Sequence, residues 1–213
     1  MKNATLKNLA AAAAIAISLL TSASLFASAG FTPASTLQEA EQTAKKSAFF
    51  IAYNSNAYGE SIPEPERLDR LNRINREISR ISDTYSITLP KVNRMNVLDS
   101  NRGMYNPDRN EITFSTNNME RTLRHEFGHV IDIRLDVNNS EWKALVRTLE
   151  TKHNFAPSNY ARTNEAEYWA EAFAVYTSPN YGTTINRFPA ELESFIQNVL
   201  AKISDSKVLT AAR

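Results

Sequence analysis

Two histidines four residues apart, with a glutamate directly after the first, are the residues of this chain best suited to chemistry. The stretch His125-Glu126-Phe127-Gly128-His129 reads H-E-x-x-H and holds two of the three histidines in the chain. On a helix, residues four apart share one face, so both imidazoles can reach one metal ion. Glu126 is offset from His125 by about 100° around the helix, which places its carboxylate beside the ion. The pattern predicts one catalytic Zn²⁺ per chain, bound by His125 and His129, with Glu126 as the general base.

The neighbours of the motif argue against the simpler alternative, a surface helix with two solvated histidines. Several apolar residues flank the motif and predict a partly buried helix: Leu123, Phe127, Val130 and Ile131. Asp132 lies three residues after His129 and seven after His125, so it shares their face. Asp132 either holds the free ring N–H of a ligating histidine or faces the solvent late in the helix, and the sequence leaves both open.

A third metal ligand has to come from further along the chain, and a carboxylate is favoured. Glu167 and Glu171 are four apart, so on a helix one can bind the metal while the other supports a ligand through a hydrogen bond. Alternatively, Glu167 is a capping acid three residues after Asn164, and Glu171 is a surface acid among apolar neighbours. His153 is a weaker candidate, because a lone histidine in a polar loop is usually solvated.

A resemblance narrows these alternatives. The H-E-x-x-H motif and the stretch 160–173, YARTNEAEYWAEAF, closely resemble the catalytic domain of anthrax toxin lethal factor and the small secreted Pro-Pro endopeptidases that share it. The resemblance implies that Glu167 binds zinc, that Glu171 supports the site from behind the ligands, and that Tyr160 points into the site and stabilises the transition state. From the residues alone, Tyr160 is a packing aromatic ahead of a helix cap. The resemblance also implies a zincin-like metallopeptidase domain, with cleavage at Pro-Pro sites as one option.

Hydrophobic spacing predicts the elements that position these residues. The class is α+β, mostly helical, with a small sheet ahead of the motif helix. The first helix is expected over about residues 36–53, and a second ends near residue 82. The sheet should fall within residues 86–115, using Ile87–Leu89, Val92–Leu98 and, as its last strand, Glu111–Ser115. Four further helices are expected at about 119–135, from 139 or 140 through 149, from 163 or 164 through 176, and at 191–203.

The first 29 residues predict a cleaved signal peptide. Lys2 and Lys7 precede the apolar run Leu9–Leu20, and Ala27-Ser28-Ala29 fits a cleavage site. The alternative, a membrane anchor, is less favoured because a spanning helix needs about 20 apolar residues. We therefore expect one catalytic domain over residues 30–213. Together with the resemblance, the signal implies a secreted, extracellular bacterial protein with no stable membrane insertion after cleavage.

Charge and cysteine content exclude other classes. The chain has 24 basic and 23 acidic residues, without the basic excess of a nucleic-acid binder, and no cysteine for disulfide or thiol chemistry. One helix carries five arginines, but acids are interleaved with them, which predicts a solvated face with local ion pairs: Arg67, Arg70, Arg73, Arg76 and Arg80.

The expected partner is a protein or peptide substrate bound extended along strand Glu111–Ser115, which we take as an edge strand. One alternative function is a zinc-stabilised surface binding or adhesion module without turnover. Glu126 argues against it, because a structural site is usually closed by four protein ligands and has no use for a carboxylate that does not bind the metal. A hydrolase of non-peptide substrates is another alternative, with no sequence feature of its own beyond the metal chemistry.

Overall fold

The computed structural model describes residues 30–46, 49–51, 62–98 and 103–205. The predicted signal peptide, residues 1–29, lies outside the described residues. Within these ranges, every helix is too short or too polar to cross a membrane.

Six α-helices, one 3₁₀ turn and a four-stranded sheet form the described part of the chain, which confirms the predicted α+β class and its mostly helical content. The helices are α1 (Leu37–Lys46), α2 (Glu64–Tyr85), α3 (Met119–Leu135), α4 (Ser140–His153), α5 (Glu165–Tyr176) and α6 (Ala190–Asp205), with the 3₁₀ turn at Tyr160–Thr163. The strands are β1 (Phe49–Ile51), β2 (Val92–Leu98), β3 (Met104–Asn106) and β4 (Glu111–Ser115).

The sheet has the order β1-β2-β4-β3, with β2 parallel to both β1 and β4 and β3 antiparallel to β4. Strand β4 is therefore an interior strand, and our prediction that Glu111–Ser115 is an edge open to substrate is wrong. On that side the sheet ends at β3, whose three residues pair with Glu111, Ile112 and Thr113, and β1 is the other edge strand. A turn at residues 107–110 joins the two strands, and Asn110 adopts the left-handed conformation with φ 50°.

Two predictions for the N-terminal half are also wrong. Helix α1 ends at Lys46 instead of continuing to about residue 53, because Phe49–Ile51 pairs with β2 as a strand. Aromatic and β-branched residues favour strands, and a sheet edge was available to this segment. The predicted run Ile87–Leu89 forms no strand, although the side chains of Ile87 and Leu89 are buried in the core.

Close packing of α3 against α5 positions the site. One stripe of α3 is buried in the core, as the apolar spacing predicts: Met119, Leu123, Phe127, Val130 and Ile131. Gly128 lets the helices approach, because a Cβ there would lie 2.8 Å from the Cα of Ala170. The indole N–H of Trp169 donates to the carbonyl of Gly128 at 2.8 Å. The short distance between the helices brings Glu167 and Glu171 to the histidines of α3.

Candidate metal centre

Three side chains converge between the middle of α3 and the first turn of α5. His125 Nε2 and His129 Nε2 lie 3.1 and 3.4 Å from Glu167 Oε2, and the two nitrogens are 3.2 Å apart. Ligand atoms bound to one tetrahedral zinc ion at about 2.0–2.1 Å lie about 3.3–3.4 Å from one another. The triangle therefore has the size of one face of such a tetrahedron. The group can hold a metal ion and leaves a fourth position for water or substrate.

The polar atoms of this triangle fit a cation better than they fit one another. Glu167 Oε2 is buried and lacks a well-formed hydrogen bond, although both imidazole nitrogens lie within 3.4 Å. The close approach of His125 and His129 holds the pKa of Glu167 well below its usual range. An ionised, buried carboxylate that faces two imidazole nitrogens is satisfied by a shared metal ion. Helix capping adds to the fit, because the Asn164 side chain accepts the backbone N–H of Glu167 at 2.9 Å.

His125 is held from behind by Glu171, as the resemblance implies. Glu171 is 1% exposed, and its Oε1 lies 2.9 Å from His125 Nδ1. This contact favours the tautomer with a proton on Nδ1, which frees Nε2 for a metal. Burial disfavours the protonated ring, but the Glu167 and Glu171 carboxylates outweigh it and raise the pKa of His125 to about 9. The second oxygen of Glu171 pairs with the guanidinium of Arg121.

Glu126 lies in the same cleft but outside the triangle. It is 3% exposed, and burial raises the pKa of its carboxyl to about 7. The backbone N–H of Tyr105 acts in the opposite direction and lowers the pKa of this carboxyl, whereas Oε2 is buried without a hydrogen bond from the described residues. A carboxylate whose pKa is near neutral, beside an open coordination position, is suited to take and return a proton.

Tyr160 stands at the mouth of the cleft, in the 3₁₀ turn before α5. Its ring centroid lies 5.9 Å from that of His125, and the residue is 54% exposed. Partial burial and the neighbouring Glu167 carboxylate raise the pKa of Tyr160. The hydroxyl therefore keeps its proton at neutral pH and can donate a hydrogen bond into the cleft.

Asp132 and His153 do not belong to the group of His125, His129 and Glu167 that could hold a metal ion. Asp132 lines the cleft but is only 7% exposed, so the solvent-facing alternative is wrong. Among the described residues, Asp132 Oδ1 accepts a hydrogen bond from the backbone N–H of Asn138 at 2.7 Å, and Glu171 is the acid that contacts a ligating ring. Asp132 thus ties the end of α3 to the next loop. His153 ends α4, where its Nε2 lies 3.8 Å from Glu191 Oε1.

An apolar rim surrounds the triangle. The cleft has a volume of about 290 Å³, and β3, α3 and the segment between Tyr160 and Glu167 form its walls. The most exposed large hydrophobic side chains of the described residues all line it, and they are Met104, Ile133 and Tyr160 at 58%, 60% and 54%. The described lining residues include no lysine or arginine. Such a rim suits a ligand with apolar side chains.

The β3 wall and Arg121 were not predicted from the sequence. Gly103, Met104 and Tyr105 lie outside the H-E-x-x-H motif and the stretch 160–173, and a three-residue strand gives no periodic signal. Arg121 stands four residues before His125 and therefore on the same face of α3, a spacing that could have identified it.

The chain matches no protein-family model, and no significant relative is found among curated proteins. The resemblance to the lethal factor catalytic domain therefore remains a prediction based on two blocks of sequence.

Proposed function

We propose that this protein is a secreted, zinc-dependent endopeptidase with a zincin-like catalytic domain of the lethal factor type. The observation that carries the proposal is the triangle of His125 Nε2, His129 Nε2 and Glu167 Oε2, with edges of 3.1–3.4 Å, beside a buried carboxylate that does not belong to it. A site that only stabilises a fold is usually closed by four protein ligands. Here three side chains that could hold a metal ion line a cleft, and Glu126 lies in the same cleft beside them.

Each residue has a role in the proposed hydrolysis. Zn²⁺ held by His125, His129 and Glu167 would polarise a peptide carbonyl and make water more acidic. Glu126 takes the proton from the attacking water and returns it to the leaving amine. The Tyr160 hydroxyl donates a hydrogen bond to the oxyanion that develops on the carbonyl oxygen. Glu171 keeps the His125 ring oriented throughout.

The edge strand β3 replaces β4 as the proposed support for the substrate. Strand β3 lines the cleft, and among the described strands it pairs only with β4, so we propose that an extended peptide lies along its other side. The apolar side chains of Met104 and Ile133 would then contact residues that flank the scissile bond. Cleavage at Pro-Pro sites is compatible with such a rim and remains a prediction from the resemblance.

The test is peptide cleavage, read by mass spectrometry on a diverse library that includes Pro-Pro sequences. We expect cleavage by the zinc-loaded protein, loss of cleavage with a chelator, and recovery on adding Zn²⁺. Glu126→Gln should bind zinc but lose cleavage by on the order of 10³-fold or more, because an amide cannot take the proton. Glu141→Gln, at an exposed position of α4, is the matched control and should behave as the unchanged protein. If no peptide is cut while zinc binds tightly, the non-catalytic binding module becomes the better assignment.

A further inference from the structure

Gly103 lies directly against the buried carboxylate of Glu126. A Cβ built at this glycine would stand 2.1 Å from Glu126 Oε1 and 2.5 Å from Thr122 Cγ2. Carbon atoms in contact are normally about 3.5–4.0 Å apart, so no other residue fits here without movement. The carboxylate of Glu126 occupies the space that a side chain at position 103 would need.

Glycine is needed at position 103 because a side chain would not fit there, and not because of its backbone conformation. The glycines with positive φ among the described residues are Gly30 and Gly182, so the backbone of Gly103 is in a region that alanine also adopts. The obstacle to alanine comes from the two side chains on α3, and the nearer atom is the end of a flexible glutamate. The chain can therefore accept alanine, but Glu126 has to move.

A second group, two residues further along the chain, acts on the same carboxylate. The backbone N–H of Tyr105 lowers the pKa of the Glu126 carboxyl, and Tyr105 itself pairs with Ile112 in the sheet. The Tyr105 hydroxyl lies 3.1 Å from Asn110 Oδ1, which anchors its ring to the turn between β3 and β4. The donor is thus carried by a rigid hairpin, while Gly103 leaves the room that the acceptor needs.

We propose that Gly103 and the Tyr105 N–H form a cradle that sets the position of the Glu126 carboxylate, which makes Gly103 a positioning residue for the hydrolysis. The inference rests on the proposed function, because it takes Glu126 as the base. A displacement of about 1 Å at a reacting group costs about 100-fold in rate. Gly103→Ala should therefore lower kcat by about 100-fold and leave KM and zinc stoichiometry unchanged.

A shorter side chain at position 126 should relieve the clash with an alanine at position 103. Glu126→Asp withdraws the carboxylate by one methylene from the space that alanine would fill. We expect Glu126→Asp to be impaired alone, but to cause little or no further loss of kcat in the Gly103→Ala background. Removing the second crowding atom by Thr122→Ser should not restore the Gly103→Ala protein, because the clash with Glu126 Oε1 remains. Recovery with Thr122→Ser would assign the loss to helix packing and overturn the proposal.

The Tyr105 amide gives a readout that does not depend on turnover. In the ¹H–¹⁵N spectrum of the metal-free protein, Gly103→Ala and Glu126→Gln should both shift the Tyr105 amide resonance upfield, as expected when its hydrogen bond to a carboxylate is weakened. An unchanged Tyr105 resonance in both variants would overturn the cradle. A wild-type protein that cleaves peptides, together with a Gly103→Ala variant of equal kcat, would overturn it and leave the proposed function intact. A wild-type protein that binds zinc and cleaves nothing would overturn the proposed function, and this inference with it.

Discussion

Arg124 and His125 are neighbours in α3 but belong to two different buried charge clusters. The clusters differ in whether their polar atoms are paired with one another. Arg124 is 7% exposed and donates to Glu77 Oε1 at 2.6 Å and to the carbonyl of Ala174 at 2.8 Å. Arg80 donates to both oxygens of Glu77, at 2.9 and 2.6 Å. Among the described residues, no fully buried side-chain nitrogen or oxygen of this arginine–glutamate–arginine cluster lacks a hydrogen-bond partner. The cluster of His125, His129 and Glu167 next to it instead directs three atoms that could hold a metal ion at one point, and Glu167 Oε2 there is buried without a well-formed hydrogen bond.

This difference distinguishes a cluster that stabilises the fold from a cluster that can bind a ligand. Burying charge is costly unless each group is paired, so a closed cluster such as that around Glu77 holds elements together and gains nothing from a ligand. In an open cluster the ligand atoms are satisfied only when a proton or a metal ion lies among them, so a metal ion competes with protons for the site. The two clusters should therefore respond in opposite ways to substitution.

The largest effect is expected from removing a metal ligand. His129→Ala should eliminate zinc binding under conditions that saturate the unchanged protein and reduce cleavage to background, a loss on the order of 10³-fold or more. The metal-free variant should unfold at a denaturant concentration equal to or above that of the metal-free parent, since the His129 ring nitrogen that lies 3.2 Å from His125 Nε2 is gone. Zinc content and urea unfolding, each with and without a chelator, provide the measurements.

His153→Ala is the control for that substitution, because His153 lies outside the cluster with a side chain 40% exposed. It should keep zinc and activity. If His129→Ala retained stoichiometric zinc, the three-ligand centre would be wrong.

The next effect concerns the closed cluster. Glu77→Gln leaves Arg124 and Arg80 buried without their anion, so the free energy of unfolding should fall by about 3–5 kcal/mol. Zinc bound per folded molecule should not change. Urea unfolding of the metal-free protein measures the first quantity, and metal analysis of the folded fraction the second. Glu141→Gln, at an exposed site, should change stability by less than about 0.5 kcal/mol. A small effect at Glu77 would mean that the buried cluster contributes no more than a surface pair.

The sequence predicted one of these clusters far better than the other. The ligands of the open cluster lie on two regular helices, and α3 and α5 have the expected bounds because apolar spacing and the Asn164 cap mark them. The arginines of α2 were predicted to form a solvated face with local ion pairs. Arg80 does pair locally with Glu77, yet its side chain is 11% exposed and Glu77's 7%, because α3 and the end of α5 cover them. Which face of a charged helix is covered depends on distant elements.

The same dependence on distant elements explains the wrong prediction that β4 is an edge strand. Strand β4 was predicted with its observed bounds, but its place inside the sheet depends on β3, a three-residue strand whose existence rests on pairing. Nothing in the local sequence links Gly103 to Glu126, which lies 23 residues further along the chain. Contacts made across elements of such separation are decided by tertiary packing.

Proton competition gives a third way to distinguish the clusters. In the metal-free protein the pKa of His125 is raised to about 9, because the neighbouring carboxylates outweigh burial. The ring is therefore protonated at neutral pH, and a metal ion must displace that proton. Zinc affinity should rise by about tenfold per pH unit up to about pH 9 and then level off, with about one proton released per zinc ion from this group. Calorimetry near pH 7 in buffers of different ionisation enthalpy measures the released protons. Zinc binding without proton release would contradict this assignment of the His125 charge.

The smallest effect is expected at Arg121, which connects the open cluster to the surface. Its guanidinium pairs with the Glu171 oxygen that does not face His125, so it acts on the metal only through two intervening side chains. Because the Arg121 side chain is 48% exposed, water screens its charge, and we expect Arg121→Met to weaken zinc binding by about tenfold, at the lower end for groups behind a metal ligand. Arg121→Lys should recover part of this loss, since it restores the charge but not the planar donor pair. A competition assay with a chromogenic chelator measures both variants, with Glu141→Gln as reference. Equal affinity for Arg121→Met and the parent would show that Glu171 orients His125 without help. The open cluster would then end at Glu171, and the ion pair between Glu171 and Arg121 would contribute nothing to zinc affinity.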